Sequence, residues 1–291
     1  MPGLTALAPA KVNLLLHVGP VGVDGYHPLA SLVAFADVGD RLTARTDEGL
    51  SLTVTGPFGA AIADEPDNLV LRAVRSLAER CGVAADLALT LDKQLPVAAG
   101  LGGGSADAGA ALRLARTAWG LEVDDALLAE VAGRIGADGP MCLVARPAWA
   151  EGRGDELTPE PRLPPLPAVL VNPGAPSLTG PVYRAYDAGP ACVADRPDAP
   201  EDWRLSGVID WLAGQRNDLQ TPAISREPAI GAALAAVSAT PGVRLARMSG
   251  SGATVFGLFE TAADAAEAAA RLATDHGDWW VRATILGDPL A

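Results

Sequence analysis

The chain has 291 residues, enough for one large or two medium domains with a proper core. Its 35 acidic and 22 basic residues give a formal net charge of −13, which argues against a nucleic-acid partner, because phosphate backbones demand basic surface. No apolar run reaches the roughly 18–20 residues that span a bilayer, and no signal-peptide pattern is evident. Cys81, Cys142 and Cys192 are too far apart to read as a disulfide framework or a metal site, so the expectation is a cytoplasmic protein without a membrane partner.

In chain order, residues 10–18 alternate as a strand, with Val12, Leu14, Leu16 and Val18 on one face and Lys11, Asn13, Leu15 and His17 on the other. Polar residues there suit either a solvated edge strand or a ligand. The turn V-D-G-Y-H-P pivots on Gly25 and displays Tyr26 and His27, as decoration or as a holder for a planar ligand. Strands are expected at 29–36, 41–46 and 50–55. A helix is expected from Asp67 to Cys81, capped by Asp67 or Asn68, with an apolar stripe through Leu69, Val70, Ala73, Val74 and Leu77.

Asp86 to Asp92 alternates like a half-buried strand and leads into L-P-V-A-A-G-L-G-G-G-S-A-D-A-G-A-A, Leu95 to Ala111. A helix follows from Ser105 to about Trp119. Strand, glycine loop and helix start together present backbone N–H groups to an anion, and glycine permits both the turns and the close approach of phosphate oxygens. The other reading is a tight turn where strand and helix pack closely. The pattern is neither G-x-x-x-x-G-K-[ST], since no lysine follows the glycines, nor G-x-G-x-x-G. Asp107 is explained locally as an acid favouring the helix dipole. Only two of the 22 basic residues are lysines, Lys11 and Lys93, and both adjoin candidate site segments.

Asp124 caps a further helix that Gly136 ends, and Asp138, before Gly139-Pro140, reads as the N-cap of a short helix. Residues 158–167 carry five prolines and read as an irregular linker, which divides the chain into domains 1–157 and 158–291. The second half predicts a strand at 168–172, a loop rich in Pro and Gly to about 200, and helices near 205–214 and 226–238. Strands at 243–248 and 253–259 flank S-G-S-G, Thr261 and Asp264 make a capping box, and 279–285 is a last strand. This order suits an α+β layer, an open antiparallel sheet with helices on one face.

Three segments, P-A-K-V-N-L at 9–14, L-P-V-A-A-G-L-G-G-G-S-A at 95–106 and M-S-G-S-G-A-T-V-F at 248–256, resemble the three motifs of the GHMP kinases in the same order. D-G-Y-H at 24–27, I-G-A-D-G-P at 135–140, A-E-G-R-G-D at 150–155, L-V-N-P-G at 170–174 and N-D-L at 217–219 narrow the resemblance. They are similar to the branch that phosphorylates a cytidine diphosphate-linked methylerythritol in non-mevalonate isoprenoid synthesis. Gly139 departs from that branch, which usually has an apolar residue such as Val there.

The resemblance implies a two-domain α+β fold, with an N-terminal ATP and substrate domain and a ferredoxin-like C-terminal domain. It implies phosphoryl transfer from ATP, with Mg²⁺, to a tertiary 2-hydroxyl. Asp138 stands at the catalytic aspartate, accepting or orienting the hydroxyl proton, and Lys11 at its partner lysine. The ATP-binding residues comprise Lys93, just upstream, and the triphosphate segment Pro96, Val97, Ala98, Ala99, Gly100, Leu101, Gly102, Gly103, Gly104, Ser105 and Ala106, with Ser105 near phosphate oxygens or the metal. Asn13, Tyr26 and His27, with Tyr183, match positions that hold the cytidine substrate, and Gly250, Ser251 and Gly252 match the third motif. Another GHMP-type kinase, of homoserine or mevalonate type, and a non-catalytic nucleotide-binding relative are the alternatives. Nothing in the sequence sets the oligomeric state.

Overall fold

The computed structural model describes residues 3–63, 65–190 and 192–290. Strands β1 (Leu4–Asn13), β2 (His17–Val18), β3 (Leu29–Arg45) and β4 (Leu50–Thr55) open the chain. Helix α1 (Leu69–Cys81), β5 (Leu87–Asp92), α2 (Gly103–Ala118), α3 (Asp125–Ile135) and α4 (Gly139–Val144) follow. Next come β6 (Ala148–Glu151), β7 (Glu156–Pro159), β8 (Leu166–Asn172), α5 (Thr179–Asp187) and α6 (Leu205–Ala213). Helices α7 (Gln220–Arg226) and α8 (Pro228–Ser238) precede β9 (Leu245–Met248), β10 (Val255–Leu258), α9 (Ala262–Asp275) and β11 (Trp280–Gly287). No described helix is long and apolar enough to cross a membrane.

The chain forms two compact units, each discontinuous in sequence. The first comprises Met1–Ala10, Gly39–Val97 and Gly102–Ala145; the second comprises Lys11–Val38, Ala98–Leu101 and Arg146–Ala291. The proline-rich segment 158–167 lies within the second.

In the first unit β5 runs parallel to β4, with Leu52 opposite Leu89, and antiparallel to the end of β3, with Leu42 opposite Leu91. Helices α1 to α4 pack on one another. Local chemistry starts these helices where it should. Asn68 accepts the N–H of Val70 at the head of α1, and Asp124 accepts that of Leu127 at the head of α3. Val70, Ala73, Val74 and Leu77 are the buried stripe of α1.

In the second unit β8 lies between β11 and β10, with Val171 opposite Val281 on one side and Val255 on the other, and β10 continues to β9. Helices α8 and α9 cover these strands. Ile230, Ala233, Val237, Ala265, Ala268 and Leu272 meet Val169, Val171 and Val255 in one apolar cluster. Thr261 accepts the Asp264 N–H and donates its hydroxyl to that carboxylate, starting α9.

Several elements differ from expectation. The expected strands at 29–36 and 41–46 are one strand, β3, which ends at Arg45, because its polar middle finds distant partners. Asp37 accepts from the Thr284 hydroxyl (2.5 Å) and the Ile285 N–H (3.1 Å), and Asp40 is held by Lys93. The expected strand at 10–18 is broken after Asn13, where Leu14 N–H turns to Leu32 O and Leu16 N–H to Arg216 O. Both of its faces are buried, which rules out the solvated edge. The irregular linker shrinks to residues 160–165. Pro159 sits in β7, opposite Ala148, and Pro167 in β8, opposite Ile285. Helices α5 and α7 are additional to the expected elements; Pro181 and Pro222 fall in their first turns, where a missing N–H costs nothing.

Candidate active site

The glycine loop leaves β5 at Lys93. Ala98, Gly100 and Gly102 all have positive φ, at 52°, 73° and 62°. Gly102 occupies the N-cap of α2 with no side chain capping the helix, so the first-turn N–H groups of Gly103, Gly104 and Ser105 remain for an anion. Within the second unit Gly100 is pressed against the turn 249–252: a Cβ there would lie 2.5 Å from Ser249 O and 2.7 Å from Gly252 O. Only glycine fits.

That turn is laced to the loop residues 98–101. The Ser249 hydroxyl donates to Gly100 O (2.9 Å) and accepts the Asn13 N–H (3.1 Å), while Thr254 N–H donates to Ala99 O (3.1 Å). Gly250 and Gly252 adopt positive φ, at 56° and 86°. Asn217 donates to Met248 O (2.8 Å) and Gly250 O (2.9 Å), and Ser177 donates to Ser251 O (2.6 Å). Ser249 thereby ties the glycine-loop residues to the third motif, while Asn217 and Ser177 hold that motif's turn. In the sequence Ser249 and Asn217 are marked only as members of the segments 248–256 and 217–219; nothing local marks Ser177.

Lys11 and Asn13 are buried at the end of β1. The Lys11 N–H donates to Leu101 O (2.8 Å), and the Asn13 amide donates to Ser31 Oγ (2.8 Å), which in turn donates to Leu15 O (2.6 Å). His27 Nε2 lies 2.7 Å from Asp187 Oδ1, with the Tyr183 ring tilted against the imidazole at 4.8 Å between centroids. Tyr26 is exposed, and the Arg153 guanidinium sits 4.9 Å from the centre of its ring. The structure thus gathers His27 and Tyr183 with Asp187, a residue that sequence reasoning missed.

Two local explanations are corrected in the first unit. Asp138 occupies the N-cap position of α4, but its residue is in the helical region and its side chain makes no capping bond. Its carboxylate is therefore not explained by helix capping. Asp107 lies beyond the first turn of α2 and does not serve the dipole; it is buried and paired with Lys93 at 2.8 Å. Lys93 Nζ is also 2.5 Å from Asp40 Oδ2. Burial alone would lower the Lys93 pKa, but Asp107 and Asp40 outweigh it and raise it. At Asp107 burial wins over the pull of Lys93 and pushes the carboxyl up to about 8.

A glycine loop heading a helix that no side chain caps offers backbone N–H groups suited to an anion such as phosphate. The family description "GHMP kinases N terminal domain" matches residues 68–146, and "GHMP kinases C terminal" matches 207–278. A curated 4-diphosphocytidyl-2-C-methyl-D-erythritol kinase of Caulobacter sp. (strain K31) is 51% identical over 98% of this chain and 99% of its own length. A crystal structure of 4-(cytidine 5'-diphospho)-2C-methyl-D-erythritol kinase matches with a TM-score of 0.81 at 36% identity, over 98% of this chain and 99% of the other. A homoserine kinase from Cytophaga hutchinsonii matches at a TM-score of 0.70 but 18% identity, over 99% and 96%, which is likeness of fold alone. The chain belongs to the GHMP kinases, and within them to the 4-diphosphocytidyl-2-C-methyl-D-erythritol kinase family. It is an ATP-using kinase with the α+β fold of that superfamily.

Proposed function

We propose that the protein transfers the γ-phosphoryl group of ATP to the 2-hydroxyl of 4-diphosphocytidyl-2-C-methyl-D-erythritol, in non-mevalonate isoprenoid precursor synthesis. The observation that carries this reading is the 51% identity to a kinase of that name over 98% of the chain. The net charge of −13 favours small-molecule over nucleic-acid partners, and the proposed setting is the cytoplasm.

Phosphoryl transfer asks for positioning and charge stabilisation rather than covalent chemistry. The loop Pro96 to Ala106 receives the triphosphate, with the N–H groups at the head of α2 as donors. Lys11 counters charge on the transferring group, and Asp138 takes or orients the proton of the substrate hydroxyl. Asn13, Tyr26, His27 and Tyr183 hold the cytidine end, and Gly250, Ser251 and Gly252 complete the site. Mg²⁺ would be carried in on the phosphates of ATP. Ser105, half-buried in the first turn of α2, would share it with the phosphates. Bound there, the ion would neutralise charge on the phosphate oxygens.

The test is ADP release with the cytidylated substrate, its uncytidylated analogue, homoserine and mevalonate, with phosphorus NMR to detect the new phosphomonoester. Turnover restricted to the cytidylated substrate is expected; none above background refutes the reading. Asp138→Asn should keep fold and ATP binding but lose turnover, because its side chain has no capping bond to forfeit. Near-normal kcat would remove Asp138 from the mechanism.

A further inference from the structure

Lys93 is 3% exposed, and its ammonium joins three segments of the first unit. It donates to Asp40 in β3 and to Asp107 in α2. The other oxygen of Asp40 accepts two consecutive backbone N–H groups, from Gln94 (2.6 Å) and Leu95 (2.8 Å), at the threshold of the glycine loop. Lys93 precedes that loop and Asp107 follows it, fourteen residues later. A Cβ on Gly103, the first residue of α2, would come within 3.1 Å of Lys93 Nζ, so the cation also abuts the start of the helix.

Such a cluster is a poor way to gain stability. Two carboxyl groups share one ammonium in the core, Asp107 Oδ1 is buried without a hydrogen-bond partner, and buried polar clusters rarely outperform apolar packing. What the cluster does achieve is geometric: it ties both ends of the loop to β3. A compact ammonium suits this place, whereas a planar guanidinium would crowd Gly103.

We propose that Asp40, Lys93 and Asp107 are a positioning clasp that closes the two ends of the glycine loop before nucleotide arrives, and so sets the affinity for ATP. This rests on the reading of that loop as the triphosphate site. Lys93 then acts through the loop and does not touch the phosphates. Ordering the loop in advance removes an entropic cost that binding would otherwise meet, so the clasp shows in affinity more than in the chemical step.

Three measurements test this. In nucleotide-free wild-type enzyme the Gln94 and Leu95 amides should exchange slowly by NMR; fast exchange means that the clasp is not preformed and overturns the proposal. Titration calorimetry with the non-hydrolysable analogue AMP-PNP should show roughly tenfold or greater weakening in Asp40→Ala and in Asp107→Ala. At saturating ATP, kcat should stay within about threefold, the pattern of a lost binding contribution. Asp107→Asn keeps an acceptor for Lys93 and should recover most of the loss, which simple core disruption would not. Unchanged AMP-PNP affinity in a folded Asp40→Ala, or a fall in kcat matching that in affinity, overturns the proposal. If the alanine variants do not fold, the amide exchange decides. Wild-type enzyme that binds AMP-PNP yet phosphorylates no substrate would sink the proposed reaction and leave the clasp standing; failure to bind AMP-PNP would sink the loop reading and the clasp together.

Discussion

Gly139 stands where the family resemblance suggests an apolar residue such as Val, yet the structure leaves it no room for one. A Cβ on Gly139 would lie 2.1 Å from Ala132 O and 2.6 Å from Ala132 C, backbone atoms near the end of α3. Ordinary contact would require α3 and the start of α4 to part by about 1 Å, in an interior packed as densely as an organic crystal. Overpacking of this kind costs about 1–3 kcal/mol, so Gly139→Ala should melt roughly 3–10 °C lower. Asp138 is the adjacent residue and would move with the backbone. A displacement near 1 Å at a reacting group costs on the order of 10² in rate, so kcat should fall well beyond the loss of folded protein. Gly133→Ala is the control on the same helix. Its Cβ would meet only Pro140 Cγ, at an ordinary 3.6 Å, and its φ is not positive. Removing a helical glycine there should stabilise by about 0.5–1 kcal/mol. Differential scanning fluorimetry and ADP release on both variants read the outcome. A Gly139→Ala enzyme with wild-type melting and turnover would refute the packing argument.

Lys11→Arg should fold but lose on the order of 10²–10³ in kcat, because a planar fork cannot replace a compact ammonium at a buried position. Near wild-type steady-state turnover would show that only positive charge matters. Tyr26→Ala should raise KM for the cytidylated substrate by the equivalent of roughly 1–3 kcal/mol of stacking while KM for ATP and the melting temperature hold, since the ring is exposed. A selective ATP defect would contradict its assignment. Stability should also carry the mark of Asp107, whose carboxyl is raised from 3.8 to about 8 in the folded protein. The folded state binds the extra proton between these values, so this group's contribution is full below pH 4, falls as pH rises and is gone above about 8. Melting curves of wild type and Asp107→Asn across pH 5–9 check this; the difference between them should shift in favour of the variant as pH rises, and a constant difference would refute it.

The sequence by itself determined what short-range chemistry controls. Asn68, Asp124 and Thr261 cap their helices through neighbours two or three residues away, and the glycine loop ahead of α2 is legible because strand, turn and helix start are contiguous. The resemblance to the GHMP kinases was carried by motifs of the same local kind. Tertiary structure decided whatever depends on a distant partner. Asp37 and Asp40 look like a break between two strands until Thr284 and Lys93 satisfy them within one. Asp107 looks like a helix-dipole acid until burial sets it against Lys93. Ser249 and Asn217 lie in segments the resemblance marked, but only the fold shows that Ser249 laces the third motif to Gly100 and that Asn217 holds its turn. A carboxylate or hydroxyl carries no local record of which remote donor or acceptor will meet it, because burying it is costly until the fold supplies that partner.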